Sequence, residues 1–391
     1  MFVASGSYPV REGNLVRPLV DGIPAFGRIC AAVDAAEHRV WVTVCFLWDS
    51  FRLPDGRTFH ELLGSAVDRG VDVRVLAWLP GDSTENVLEP AAARVPTRWD
   101  RAHPGMAQHQ KSWLVDDAGF VGGMNLNPHT VVSPDHRGQD QYHDVYVEIT
   151  GPATYDIAHN FVQRWNGATE HEPGDLQLPD AVPSPAGTIP VQIQRTLPPE
   201  RSIFDQYVRA FADARRSIYL ENQFLEDPEI VGCLEAALAR GVEVVAVLPG
   251  EPPRTRHGPD FLDRRGALGD HPNFHLAGLA GVGADGQRKH VYVHSKVMLV
   301  DDAWATIGSA NFHAGGMYGS AEMNASFHDP ETVRALRHQL FAEHLGESMK
   351  NDVNALRLFG QRAQENRRRW DTGDHDWQGL AFALDPRTYG R

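Results

Sequence analysis

Apolar and polar positions alternate along this chain in an order that occurs twice. Residues 39–47 read Arg-Val-Trp-Val-Thr-Val-Cys-Phe-Leu, and residues 217–225 read Ser-Ile-Tyr-Leu-Glu-Asn-Gln-Phe-Leu. Their β-branched and aromatic content favours strands. Helical periodicity precedes each, over 23–37 and 202–216. A second helical stretch follows and ends at Arg69-Gly70-Val71 or Arg240-Gly241-Val242, where glycine suits a left-handed cap. Buried strands are expected next, over 72–79 and 243–248, each stopping at a Pro-Gly pair. Further on, Lys111 to Val115 and Lys296 to Val300 read as strands with one inward face. They turn at Asp116-Asp117 and Asp301-Asp302. Each half then closes with a strand and a helix, with Pro152 or Pro330 expected at the first helical position.

Strands alternating with helices imply an α/β protein, with one mainly parallel or mixed sheet flanked by helices in each half. The expected organisation is a first half over 1–166, a linker over 167–200, a second half over 201–350 and a C-terminal extension over 351–391 that packs on the core. Seven prolines in the linker predict an extended path over the surface. The stretch 250–290 is longer than its counterpart and carries Arg254, Arg256, Arg264, Arg265 and a glycine-rich run. It is expected to be a loop that shapes the substrate entrance. Gly281 to Gly286 fits Gly-x-Gly-x-x-Gly but is expected to lack the strand and helix of a dinucleotide fingerprint.

Composition narrows the picture. The chain has 391 residues, enough for two packed halves, and a net charge of −14, which argues against a nucleic-acid footprint. Three scattered cysteines (Cys30, Cys45, Cys233) suggest small buried hydrophobes rather than a disulfide framework. No signal-like segment and no membrane-spanning stretch is evident, so a cytoplasmic protein, peripheral to a membrane at most, is expected. Cys/His spacing suits no zinc site, and neither metal nor cofactor is expected.

The chemistry sits in a duplicated phrase. His109-Gln110-Lys111 leads to Asp116 and then to Gly122-Gly123-Met124-Asn125. His294-Ser295-Lys296 leads to Asp301 and then to Gly308-Ser309-Ala310-Asn311. On a strand, residues two apart share a face, so each His points with its Lys. The turn, with Gly123 or Ser309, brings Asn125 or Asn311 back beside them and offers backbone N–H groups. Pairing the halves about a pseudo-two-fold axis surrounds one cavity with two His, two Lys and two Asn. One imidazole can attack phosphorus and the other can protonate the leaving oxygen. The lysines and amides hold the phosphoryl oxygens. Each imidazole needs its other nitrogen held, commonly by a carboxylate. The candidates are Asp144 for His109 and Glu322 for His294, and Asn324, on the same strand face as Glu322, is expected to bind substrate together with Gly123 and Ser309.

These residues resemble the signature of the phospholipase D superfamily, His-x-Lys-(x)4-Asp-(x)6-Gly-Ser-x-x-Asn. The second motif fits well. The first carries Gly-Gly, as in cardiolipin synthases, and is one residue shorter before its glycines. The run Tyr219 to Phe224 and the stretch from Asp144 to Ala153 are similar to lipid-acting members, and the likeness covers roughly residues 15–350. It implies a metal-independent, two-step reaction through a phosphohistidine, with His109 as nucleophile, His294 as acid, and Asp116 and Asp301 mainly structural. The partner would be a phospholipid at a membrane surface, with water or an alcohol as acceptor. One chain carries both motifs, so a monomer is sufficient. A nuclease or other nucleotide phosphodiesterase of the same superfamily, or a catalytically dead membrane-surface protein, are the alternatives. Trp41, Phe46, Trp48 and Phe224 are read as core, with some placed to touch acyl chains. The run Arg367-Arg368-Arg369 is read as a solvated helix face.

Overall fold

The computed structural model describes residues 1–4, 6, 8–78, 94–100, 107–138, 140–168, 176–253, 258–347 and 352–391. Its first part comprises β1 (Arg11–Val20), α1 (Gly22–Ala35), β2 (Arg39–Val44), α2 (Phe59–Asp68), β3 (Asp72–Trp78), β4 (Thr97–Asp100), β5 (Ser112–Val115), β6 (Ala118–Gly122), β7 (Tyr142–His143), β8 (Val145–Thr150) and α3 (Thr154–Gly167). The second comprises β9 (Ile189–Leu197), β10 (Glu200–Arg201), α4 (Ser202–Asp213), β11 (Ser217–Glu221), α5 (Pro228–Ala239), β12 (Glu243–Val247), α6 (Pro259–Gly266), β13 (Phe274–Val282), β14 (Arg288–Val293), β15 (Val297–Val300), β16 (Trp304–Gly308), β17 (Glu322–His328) and α7 (Pro330–Leu345). The helix α8 (Ala355–Asp371) and β18 (Ala381–Ala383) complete the described chain.

Strand pairing makes the duplication explicit. One sheet runs β4-β3-β2-β5-β6-β8-β1 and the other β13-β12-β11-β15-β16-β17-β9. In both, the first three strands are parallel and the rest antiparallel, so each sheet is mixed. The two α–β turns close identically, with Gly70 and Gly241 both at φ 85°, a conformation that disfavours any residue with a Cβ. The capping of α2 is a reciprocal Thr58–Glu61 box, and Asp227 caps α5. The outer faces of the sheets pack on α1 and α2 in one half and on α4 and α5 in the other. The inner faces share one continuous apolar core that also takes in α3, α7 and α8.

Several expectations change. Residues 189–197 lie within the stretch read as a surface linker, yet they form β9, which pairs with β17 along Val191 to Thr196 and touches β1. The second sheet thus begins at Ile189 rather than near 201. Pro190 lies within this strand and Pro198 follows it, and Gln192 and Gln194 break its apolar pattern. Both are buried and satisfied, Gln192 by the carbonyls of Val3 and Tyr8 and Gln194 by Gln206.

The strands β5 and β15 are buried at every position rather than alternating, because both of their faces are covered. Most of the stretch expected to be an entrance loop is ordered as α6, β13 and β14. The Gly-x-Gly run is a strand-to-strand hairpin, with a strand before it and no helix after it. Arg265 is buried and donates to the Tyr389 carbonyl, and Arg264 faces Glu235, so neither lines a substrate cleft. Arg254 and Arg256 lie outside the described residues. Pro152 precedes α3 rather than starting it, whereas Pro330 does open α7, capped by Asp329. The extension packs on the second half through β18 against β13, and Arg367 pairs with Asp371 on α8. Among the described residues, no helix is long and apolar enough to cross a membrane.

Candidate active site

The two motifs meet where the halves meet. His109 and His294 sit just before β5 and β15, and both line one cavity of about 330 Å³ with Asn125 and Asn311. Crossed backbone pairing fixes them there. The amide of His109 donates to the carbonyl of Ala321 (2.9 Å), and that of His294 donates to the carbonyl of His143 (2.9 Å). Each motif is therefore zipped to the segment that carries the other half's carboxylate.

The bracing follows the same crossing, which corrects the expected pairing. His109 Nδ1 lies 2.9 Å from both oxygens of Glu322, and His294 Nδ1 lies 2.7 Å from Asp144 Oδ2. In each sheet the carboxylate strand is separated from its own motif strand by an intervening strand, β6 or β16. A carboxylate at the start of β8 or β17 reaches the facing half more readily than its own. With Nδ1 held, Nε2 is the ring nitrogen left for chemistry.

The glycine turns support the carboxylates rather than the substrate. A Cβ on Gly123 would fall 2.4 Å from Asp144 Oδ1. At the matching place Ser309 donates its hydroxyl to Glu322. Neither residue lines the cavity, and their backbone amides are engaged by Val145 and Met323. Asn324 is likewise not at the cavity. Its amide donates to Tyr207 (3.0 Å) and Thr306 (3.4 Å). These three were expected to bind substrate, and the structure makes them positioning groups.

Both lysines are buried, and each folds back on its own motif: Lys111 Nζ donates to the His109 carbonyl (2.7 Å), and Lys296 Nζ to that of His294. Among the described residues, the buried amide oxygens of Asn125 and Asn311 have no hydrogen-bond partner, which leaves these amides open to a ligand. Asp116 and Asp301 stand apart from the cavity. Asp116 accepts from the amides of Glu37, His38 and Arg39, at 2.8–2.9 Å. Asp301 does the same for Arg215, Arg216 and Ser217, at 2.7–2.9 Å.

Burial sets the protonation of the site. Loss of solvation lowers His109 to about 4, with Glu322 opposing and Lys111 assisting. His294 is held well below the ordinary histidine range by burial and then by the charges of Lys296 and Lys111. Burial also raises Asp144 to about 7 and lowers Lys296 to about 7. The free protein thus keeps these two imidazoles neutral at pH 7. Because the folded value of His109 lies below its ordinary 6.5, its contribution to stability is intact above that pH and is lost as pH falls toward about 4. Nitrogen NMR of the labelled imidazoles is expected to give a His109 midpoint near pH 4. A midpoint at or above 6.5 would contradict the burial argument.

The remaining walls were not singled out from the sequence. They are Asn127, Tyr142, Gln223, Tyr292 and His313, joined by Phe46, Trp48 and Phe224, which had been read as core. The rings of Tyr142 and Tyr292, one from each half, approach to 4.9 Å. Their flanks continue into a second cavity of about 550 Å³ bordered by Arg288, Lys289 and His290. Trp41 is core, stacked on Phe161.

Comparison with known proteins agrees with this arrangement. Residues 207–344, which carry the second motif, match the family described as cardiolipin synthase, phospholipase D-like domain. Cardiolipin synthase A of Pseudomonas entomophila is 28% identical over 320 residues, covering 78% of this chain and 63% of that protein. Cardiolipin synthase B of Escherichia coli is 27% identical over 361 residues, covering 84% and 80%. The chain is thus similar, in sequence and over its second motif, to cardiolipin synthase-like members of the phospholipase D superfamily. It spans about three fifths of the length of the Pseudomonas relative. The superfamily fold is also that of phosphatidylserine synthase from Haemophilus influenzae, with a TM-score of 0.60 at 13% identity over 97% of this chain and 89% of that one. Polyphosphate kinase from Porphyromonas gingivalis matches at a TM-score of 0.52 and 14% identity, over 82% and 49%.

Proposed function

We propose that this phospholipase D-like chain cleaves the phosphodiester of a phospholipid through a phosphohistidine and delivers the phosphatidyl group to water or an alcohol. The observation that carries the reading is the pair of imidazoles in one cavity, each held at Nδ1 by a carboxylate from the opposite half. His109 Nε2 attacks phosphorus as the bond to the headgroup oxygen breaks, and His294 gives that oxygen a proton. An acceptor hydroxyl then attacks, the P–N bond breaks, and His294 takes the hydroxyl proton. The more exposed imidazole, His109, is the nucleophile; its side chain is 15% exposed, against 6% for His294.

Neutral imidazoles suit the first attack. An entering phosphodiester anion offsets the lysine charges that hold His294 deprotonated, which lets it carry the proton the leaving oxygen needs. Lys111, Lys296, Asn125 and Asn311 stabilise the phosphoryl oxygens as charge shifts. These side chains supply the electrostatic stabilisation, so no step of the reaction is assigned to a metal ion. Aromatic walls at Phe46, Trp48, Phe224, Tyr142 and Tyr292 suit the glycerol and acyl portions of a lipid. The similarity to two cardiolipin synthases supports the same substrate class.

The test is incubation with phosphatidylglycerol or phosphatidylcholine vesicles in EDTA, with and without ethanol, alongside single-stranded DNA. Phosphatidylethanol formation is expected. Cleavage of DNA with no lipid turnover would overturn the lipid reading.

A further inference from the structure

A second polar cluster lies immediately behind the catalytic cavity. His143 is the hinge between the two. Its carbonyl receives the amides of His294 and Ser295, and the next residue, Asp144, braces His294. Its imidazole meets a different set of groups: Asp21 at the end of β1, His136, and Glu343 on α7. The side chains of Asp21, His136 and His143 are fully buried, and that of Glu343 is 3% exposed.

We propose that Asp21, His136, His143 and Glu343 bind a divalent transition metal of the zinc class, as a structural site that joins the two halves. One ligand atom from each residue falls within 4.8 Å of all the others. Around His136 Nε2 the distances are 3.1 Å to Asp21 and 3.3 Å to Glu343; around His143 Nδ1 they are 3.1 Å and 2.9 Å. Ligands at about 2.0–2.1 Å in a tetrahedron stand roughly 3.3 Å apart, close to these separations. Two imidazoles and two carboxylates form a neutral set with a divalent ion, which suits a dry interior.

Hydrogen bonding among the four residues pairs His143 Nδ1 with Asp21 Oδ1 (3.1 Å) but, among the described residues, leaves other atoms of the cluster without a partner. Asp21 Oδ2, His136 Nε2 and both Glu343 oxygens are buried without a hydrogen bond of acceptable geometry. In a metal-free network, His136 Nε2 and His143 Nδ1 carry one proton each, yet each nitrogen faces two carboxylate oxygens. A cation at the centre satisfies all four contacts at once.

The surroundings fit a ligand role for His143. Its Nε2 lies 2.9 Å from Glu221 Oε2, the carboxylate–histidine–metal arrangement that fixes the tautomer of a ligating imidazole. Glu221 is itself held by Ser295 (2.6 Å), Tyr219 (2.6 Å) and His344 (3.0 Å). Asp21 at φ 64° and His136 at φ 44° occupy sparsely populated backbone, which persists where the surroundings over-determine it. Gly281 permits the close approach, since a Cβ there would fall 2.1 Å from the His136 carbonyl.

Elemental analysis of the full chain after dialysis, or zinc titration of chelator-treated protein, is expected to give about one equivalent per chain. Chelation is expected to lower the melting temperature and zinc to restore it. His136→Gln should cut bound zinc by about tenfold or more and remove the zinc-dependent rise, while His109→Ala and His294→Ala keep both. If His136→Gln does not fold, X-ray absorption of the zinc-loaded wild type carries the test; two imidazoles, oxygen ligands and no sulfur are expected. Less than stoichiometric uptake with no change in melting temperature, zinc lost with His109→Ala, or sulfur in the metal's coordination would overturn the site. None of these readouts depends on the lipid reaction.

Discussion

Replacing His109 by Ala is expected to abolish turnover by a factor of about 10⁴ or more, because its Nε2 is the atom proposed to form the covalent intermediate. The loss should fall on the chemical step and leave lipid binding in place, since the aromatic walls and both lysines remain. Acid quenching during turnover should trap a phosphorylated wild-type protein with the label on residue 109. The variant should trap nothing at that position. Label on His294 in the wild type would reverse the assignment of roles while leaving the two-histidine chemistry intact. Absence of any covalent species together with normal turnover of His109→Ala would remove the phosphohistidine altogether.

The second large effect belongs to His294. If His294 protonates the leaving oxygen, as proposed, its loss is expected to slow headgroup cleavage by about 10²–10⁴-fold. That penalty depends on how much the leaving group needs a proton. A p-nitrophenyl phosphodiester leaves as a stable phenolate, so His294→Ala should recover most of its formation of the covalent species with that substrate, while His109→Ala should recover none. Equal loss on both substrates would mean that His294 does something other than donate a proton.

Much of this arrangement was legible in the chain. The two strand orders follow from local signals that the sequence states twice: β-branched runs, Arg-Gly-Val helix ends and aspartate turns. Those signals depend on neighbours within a few residues, so tertiary structure had little opportunity to override them. The His and Asn of both motifs line one cavity because duplication around a pseudo-axis brings equivalent positions together, with each Lys folded onto its own motif behind them. The membership of β9 was hidden, since its buried glutamines read as surface and find their partners in distant segments, the N-terminus, α4 and β17.

The carboxylates were identified but matched to the wrong histidines. Proximity in sequence suggested bracing within a half, whereas strand order places β6 and β16 in the way and backbone pairing crosses the interface. Tyr142 and Tyr292 carry no motif, and only the pairing of β7 with β14 across the halves gives them a role. The proposed metal ligands were invisible to a spacing search for the same reason, since Asp21, His136, His143 and Glu343 come from separate segments of both halves.

Cross-half bracing is the central claim, and it makes the two halves one catalytic unit. The most direct measurement compares Glu322→Gln and Asp144→Asn on an alkyl phosphodiester and on the p-nitrophenyl ester. Each is expected to lose about 10–100-fold on the alkyl substrate, as partners that orient a reacting imidazole do. The account predicts that Asp144→Asn recovers on the activated ester as His294→Ala does, and that Glu322→Gln stays slow with His109→Ala. Sorting the other way, with Asp144 following His109 and Glu322 following His294, would contradict it.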